Sequence, residues 1–202
     1  MIDSGRLRAP YGGMEQHQLA RLEALADRQD LQDCVHRFAR AMDRFDRDLF
    51  LSAFWPDATI AAGAFVGPPD QLYDWARELH DQGQVATQHL LLNFNADIAG
   101  DEAHCESYYI FAGRNRDESN WLAGGRYLDR FERRAGEAGR EGRPEWRIAT
   151  RNTTVEWSGL LPTTPIPFAD LPDIFANGAP ARDTSDPSYM RPLVNRRDLQ
   201  QP

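Results

Sequence analysis

Four runs in the second half of the chain constrain the fold most: Val85–Ile98, Ala103–Arg114, Trp121–Arg134 and Glu145–Trp157. Each carries aromatic or β-branched residues, and turn-forming segments separate them at Gly100-Asp101, Asn115–Asn120 and Gly136–Pro144. Long strands in series, joined by short turns, make an antiparallel meander, because a parallel return needs a crossover of roughly a dozen residues or more.

The segment ahead of the meander has a different period. Leu31, Val35, Phe38, Met42 and Phe45 step by four, three, four and three, the apolar stripe of a helical stretch from Glu15 to Phe45. Asp27 or Asp30 is placed to cap a break that divides this stretch into a short helix and a long one. Asp48 reads as the N-cap of a short helix over Leu49–Trp55, which Pro56 stops. Ala58–Val66 is expected to be a strand, Gly67-Pro68-Pro69-Asp70 a turn, and Gln71–Gln82 a helix. Helices first and strands after predict an α+β domain, with the helices packed on one face of the sheet. Residues 1–14 read as a flexible N-terminal arm, 15–158 as the folded domain, and the proline-rich stretch 159–202 as an extended C-terminal tail.

Composition removes several chemistries. The 23 basic residues are all Arg, and there is no Lys. Schiff-base enzymes, Lys-tethered pyridoxal-phosphate enzymes and nucleotide sites with a GK[ST] signature are therefore excluded. A formal net charge of −8 argues against nucleic acid or an anionic membrane surface as partner. Cys34 and Cys105 lie far apart, outside any CxxC pattern, which suggests a reducing compartment and no structural zinc. The opening residues show no apolar signal segment, and no apolar run approaches the ~18 residues of a membrane span, so a soluble cytoplasmic protein is expected.

With no Lys, carboxylate–imidazole pairs are the natural acid–base machinery. Asp43 lies near the end of the long helix, at the edge of its apolar stripe, free to tilt into the domain or into water. His89 opens the apolar strand segment Gln88–Phe94, where alternation places it on one face with Leu91 and Asn93. His36, on the same helix flank as Asp43, is a rival partner, whereas His17, His80 and His104 have surface-like surroundings. Arg151, in the last strand, shares a face with Ala149 and Thr153. A buried Arg is costly unless it meets an anion or several carbonyls, so it either faces outward or is functional. Tyr108 and Tyr109 sit on opposite faces of their strand. One of them points inward, with Tyr109 the candidate to polarise a substrate oxygen. HxH, HExxH, GxSxG and GxGxxG patterns are absent, so neither a metal nor a cofactor is expected.

Taken in order, several short motifs carry a resemblance. They are Phe38–Asp46 followed by Leu49–Trp55 and Pro56-Asp57-Ala58, then Thr87-Gln88-His89, Gly100–Tyr108, Gly125–Arg133 and Trp146–Arg151. Over roughly Leu19–Gly159 the chain resembles SnoaL-like proteins of the nuclear-transport-factor-2-like superfamily. Among them are scytalone dehydratase, hexachlorocyclohexane dehydrochlorinase, bile-acid dehydratase and diarylpropane formaldehyde lyases. The resemblance implies a cone-shaped roll of helices on a curved, mostly antiparallel sheet. It places an Asp–His dyad on Asp43 and His89, and the Arg used by some lyase members on Arg151. Two positions depart from the pattern. Phe38 stands where some members carry a polar residue, and Ser107 appears where scytalone dehydratase has a second catalytic His.

The function expected from these readings is a cofactor-independent lyase. It would eliminate water or formaldehyde from a hydroxylated aromatic or polycyclic small molecule, with His89 held by Asp43 and with Arg151 and Tyr109 on the oxygens. The alternatives are an isomerase of a steroid-like ketone using the same dyad, and a non-catalytic small-molecule-binding domain. The expected assembly is a homo-oligomer, trimer or dimer.

Overall fold

The computed structural model describes residues 15–135, 144–162 and 175–197. The expected N-terminal arm and parts of the expected tail and last turn lie outside the described residues. The elements are α1 (Gln16–Arg44), α2 (Arg47–Leu51), β1 (Phe54–Ala62), β2 (Phe65–Gly67), α3 (Pro69–Gly83), β3 (Gln84–Ala99), β4 (Glu102–Asn115), β5 (Asn120–Ala135) and β6 (Pro144–Leu161). This is the expected α+β order, three helices packed on a six-stranded curved sheet.

The sheet runs β2-β1-β6-β5-β4-β3. β3 to β6 form the antiparallel meander, and β1 joins it by pairing parallel to β6, Ile60 opposite Arg151. The inward residues of the sheet meet the apolar stripe of α1 around Leu31, Val35, Phe38 and Met42, all buried. Phe50, Phe54 and Tyr73 close the core from α2, β1 and α3.

Four local expectations are corrected. α1 is one continuous helix with no break near Asp27. Asp27 is satisfied sideways instead, its carboxylate accepting from Trp146 Nε1 at 2.8 Å and from Arg133, so it has no need to cap. The N-cap of α2 is Asp46, which accepts from the Leu49 N–H, and the helix covers Arg47–Leu51 with Asp48 inside it. The single strand expected over Ala58–Val66 is a hairpin, β1 and β2, turning at Gly63 with φ +58°. Finally, β3 shifts register between Leu91 and Phe94, where Leu91 pairs with Tyr109 and Phe94 with Ser107. Two residues there face one on β4, so His89 and Leu91 share the inner face with Phe94, and Asn93 is exposed.

Candidate active site

Asp43 sits in the last turn of α1, and the corner after it is unusual. Phe45 adopts φ +51°, a left-handed conformation costly for a bulky residue. The Tyr73 hydroxyl donates to its carbonyl at 2.6 Å, and the Arg77 and Arg182 guanidinium groups lie over its ring at 5.6 and 4.3 Å. These contacts fix the end of α1 against α3 and the C-terminal segment.

β3 is the edge strand, so the outward N–H of His89 is not needed by the sheet. It donates to Asp43 Oδ2 at 2.9 Å, while His89 Nδ1 lies 2.7 Å from Asp43 Oδ1. The carboxylate can only accept, so Nδ1 carries a proton whatever the charge of the ring, and Nε2 is the nitrogen left to give or take one. Both side chains are largely shielded, 9% exposed for His89 and 13% for Asp43. His36, the rival partner, is exposed. It lines a separate charged recess with Arg40 and Arg44 on the far side of the dyad.

His89 borders an apolar cavity of about 210 Å³ between the helices and the sheet. Phe38, Phe111, Trp121 and Tyr127 supply aromatic wall, and Ile60, Leu72 and Ala123 aliphatic wall. Trp75, Leu79 and Val155, each more than one-third exposed, stand at its rim. The polar groups reaching it include His80, His89, Tyr109, Thr153 and Arg151.

Arg151 is inward and 1% exposed, answering the question its sequence position left open. Its Nε and one terminal nitrogen bind the Asp129 carboxylate, both at 2.7 Å. The guanidinium carbon lies 4.1 Å from the Phe38 ring centre and 4.2 Å from that of Tyr127. Burial opposes the charge, and Asp129 more than offsets it, so the group stays a cation. Its other terminal nitrogen, Nη1, is buried without a hydrogen-bond partner among the described residues. Phe38 and Tyr127 are thus the two nearest rings over this cation.

Tyr109 is the inward member of its pair, 5% exposed against 37% for Tyr108. Its ring stacks on Tyr127 at 4.5 Å, its hydroxyl donates to the Thr154 carbonyl at 3.3 Å, and burial raises its pKa above the ordinary phenol value. Ser107 is buried, its hydroxyl without a partner among the described residues.

His80 corrects the expectation of surface-like surroundings. It lines the cavity, stacked on Phe111 at 5.2 Å and edge-on to His89 at 6.0 Å between ring centres. The signal was present in the sequence: Leu72, Ala76 and His80 step by four along α3, and the first two are core residues. Asp129 gave no such signal, because its significance depends on strand register. No group of three or more His, Cys, Asp or Glu side chains forms a metal-binding cluster among the described residues. No helix among them is long and apolar enough to cross a membrane.

This site stands within a recognisable family. The SnoaL-like domain family matches residues 23–152, and the chain belongs to it. Comparison with curated protein sequences finds no match. Among solved structures, a hexachlorocyclohexane dehydrochlorinase of type 2 is similar with a TM-score of 0.61 at 19% identity, covering 76% of this chain and 99% of the other. A type 3 dehydrochlorinase from Novosphingobium barchaimii gives 0.58 at 19% identity, over 71% and 94%. A nuclear-transport-factor-2-like protein from Salmonella enterica serovar Typhimurium gives 0.57 at 14% identity, over 65% and 92%. At these identities the likeness is one of fold, and the fold is the nuclear-transport-factor-2-like cone.

Proposed function

We propose that this chain is a cofactor-independent lyase that eliminates water or formaldehyde from a hydroxylated aromatic or polycyclic small molecule. The observation that carries the reading is the Asp43–His89 pair, held by two hydrogen bonds and set in the wall of an apolar cavity. Two dehydrochlorinases among the structural neighbours are named for eliminations, which need the same proton removal from a weak acid.

In a dehydration, one imidazole takes a proton from carbon, the C–O bond breaks with its electron pair on oxygen, and that oxygen is protonated as it leaves as water. Release of formaldehyde from a 1,3-diol uses the same groups. The terminal hydroxyl loses its proton, the C–C bond breaks, its electrons form the new C=C, and the benzylic hydroxyl leaves as water. The products are formaldehyde, water and a stilbene-like alkene, and no amine takes part. The free Nη1 of Arg151 and the Tyr109 hydroxyl are the groups assigned to the oxygens, Arg151 by its one unused nitrogen only. A cavity of about 210 Å³ lies below the roughly 300–1,000 Å³ of drug-sized sites, so one or two rings fill it and a larger substrate extends past the rim.

Incubation with a panel of aromatic 1,3-diols and hydroxysteroids, followed by ultraviolet absorption and product mass, tests this reading. New conjugation with loss of water or formaldehyde is expected, and a product of unchanged mass would instead indicate an isomerase. His89→Ala and Asp43→Asn are expected to lower turnover by roughly 10²–10⁴-fold. Near wild-type rates in both would overturn the dyad. A cytoplasmic homo-oligomer belongs to the same proposal, its assembly state read by sedimentation.

A further inference from the structure

The cavity contains two imidazoles, and the reading above uses only one. His80 closes α3, where its ring stacks on Phe111 and meets the edge of His89. Its Nδ1 lies 3.0 Å from Gln84 Oε1. Gln84 is itself buried, and its orientation is set by a polarised chain. At the far end the Asp117 carboxylate, which can only accept, accepts a hydrogen bond from the Ser119 hydroxyl at 2.6 Å. Ser119 Oγ is then left to accept from Asn115 Nδ2 at 2.9 Å, which turns Asn115 Oδ1 toward Gln84 Nε2 at 3.1 Å. The amide oxygen of Gln84 therefore faces His80, so Nδ1 carries the proton and Nε2 keeps its lone pair. Arg182, from the C-terminal segment, clamps the same junction by donating to the carbonyls of His80 and Gln84, both at 3.0 Å.

We propose that His80 is a second proton-transfer group of this cavity: it serves as the general base, and His89 supplies the proton to the leaving oxygen. The assignment rests on the elimination proposed above and follows from the partners of each ring. His89 has a carboxylate against Nδ1, a counter-charge for an imidazolium that donates from Nε2. His80 has a neutral amide in that place, which supports a neutral ring. Burial lowers its pKa below the usual histidine value, and His89 from β3 and Arg182 from the C-terminal segment act in the same direction. The bond to Gln84 and the Asp43 charge from α1 only partly oppose them. In the reaction His80 Nε2 takes the substrate proton and becomes an imidazolium, the leaving oxygen takes a proton from His89, and the alkene forms between them. The cycle closes when the proton on His80 returns to His89, whose ring centre lies 6.0 Å from that of His80.

Imidazole nitrogen NMR on the ¹⁵N-labelled chain tests the geometry without a substrate, with His80→Gln assigning the signals. At pH 7 His80 is expected neutral with the proton on Nδ1, and Gln84→Leu is expected to scramble that tautomer. A charged His80 at pH 7, or a proton on Nε2, would overturn the proposal. The second arm measures turnover of a 1,2-diarylpropane-1,3-diol. His80→Gln is expected to lower kcat roughly 100-fold or more with KM nearly unchanged, and to remove the fall in kcat on the acid side of the profile. If His80→Gln keeps kcat and its acid limb while His89→Ala and Asp43→Asn are inactive, the base assignment fails and the elimination stands. If those two variants stay active, the Asp43–His89 dyad fails, and a native chain that leaves the diol unchanged overturns the elimination reading itself.

Discussion

At the residue scale, the most demanding feature is a buried charge pair. Arg151 and Asp129 face each other on β6 and β5, at 1% and 0% side-chain exposure. Removing one partner leaves the other charged and dry, which costs about 3–5 kcal/mol. Asp129→Asn is therefore expected to lower the unfolding free energy by that amount in urea titration, and paired replacement by Asp129→Leu with Arg151→Met to recover most of it. A loss under about 0.5 kcal/mol for Asp129→Asn would show that the pair is not structural. The sequence carried Arg151 as a candidate but could not supply its partner, 22 positions away, because pairing across strands depends on register. Asp43 and His89 are a similar case. Their separation of 46 positions has no local signal, and only the order of motifs joined them. His80 was legible in the α3 stripe, yet a histidine beside Asp81 and Gln82 reads as surface unless the helical phase is followed through.

At the scale of elements, period and turn chemistry located the long strands and helices, and irregularities within strands escaped them. The register shift between Leu91 and Phe94 exchanges the faces of the residues beyond it, and nothing in an apolar run announces where the extra residue falls. A second shift, at Gly124/Gly125, has a clear steric cause. A Cβ on Gly125 would stand 1.8 Å from the Thr154 carbonyl oxygen and 3.1 Å from the Tyr109 hydroxyl. Gly125→Ala must then push β6 away and displace the tyrosine facing the cavity. The expected cost is about 1–3 kcal/mol, read as a fall in melting temperature of roughly 2–4 °C per kcal/mol. An unchanged melting temperature would contradict the close approach of the two strands.

Across the whole molecule, the described C-terminal residues bind the helical layer and so stand behind the site. Asp186 accepts from the Ala181 and Ser188 backbone N–H groups and lies 3.3 Å from Arg44 Nε, while Tyr189 donates to Asp46 at 3.1 Å. Burial works against the Asp186 charge, but these donors hold its pKa down to about 2, below the ordinary 3.8. A folded-state value lower than the unfolded one gives stability that is present above about pH 4 and lost as the pH falls toward 2. The gap in urea midpoint between the native chain and Asp186→Asn is thus expected to narrow over that range, and a constant gap would exclude the linkage. The parallel pairing of β1 with β6 has a consequence in time. Ile60 cannot find Arg151 until the ~90 residues between them have been made, about 5–20 s of synthesis at common rates. Through that interval β1 has its hairpin partner β2 but not the central strand it joins, so the nascent chain, more than the finished fold, is the form that a chaperone would meet.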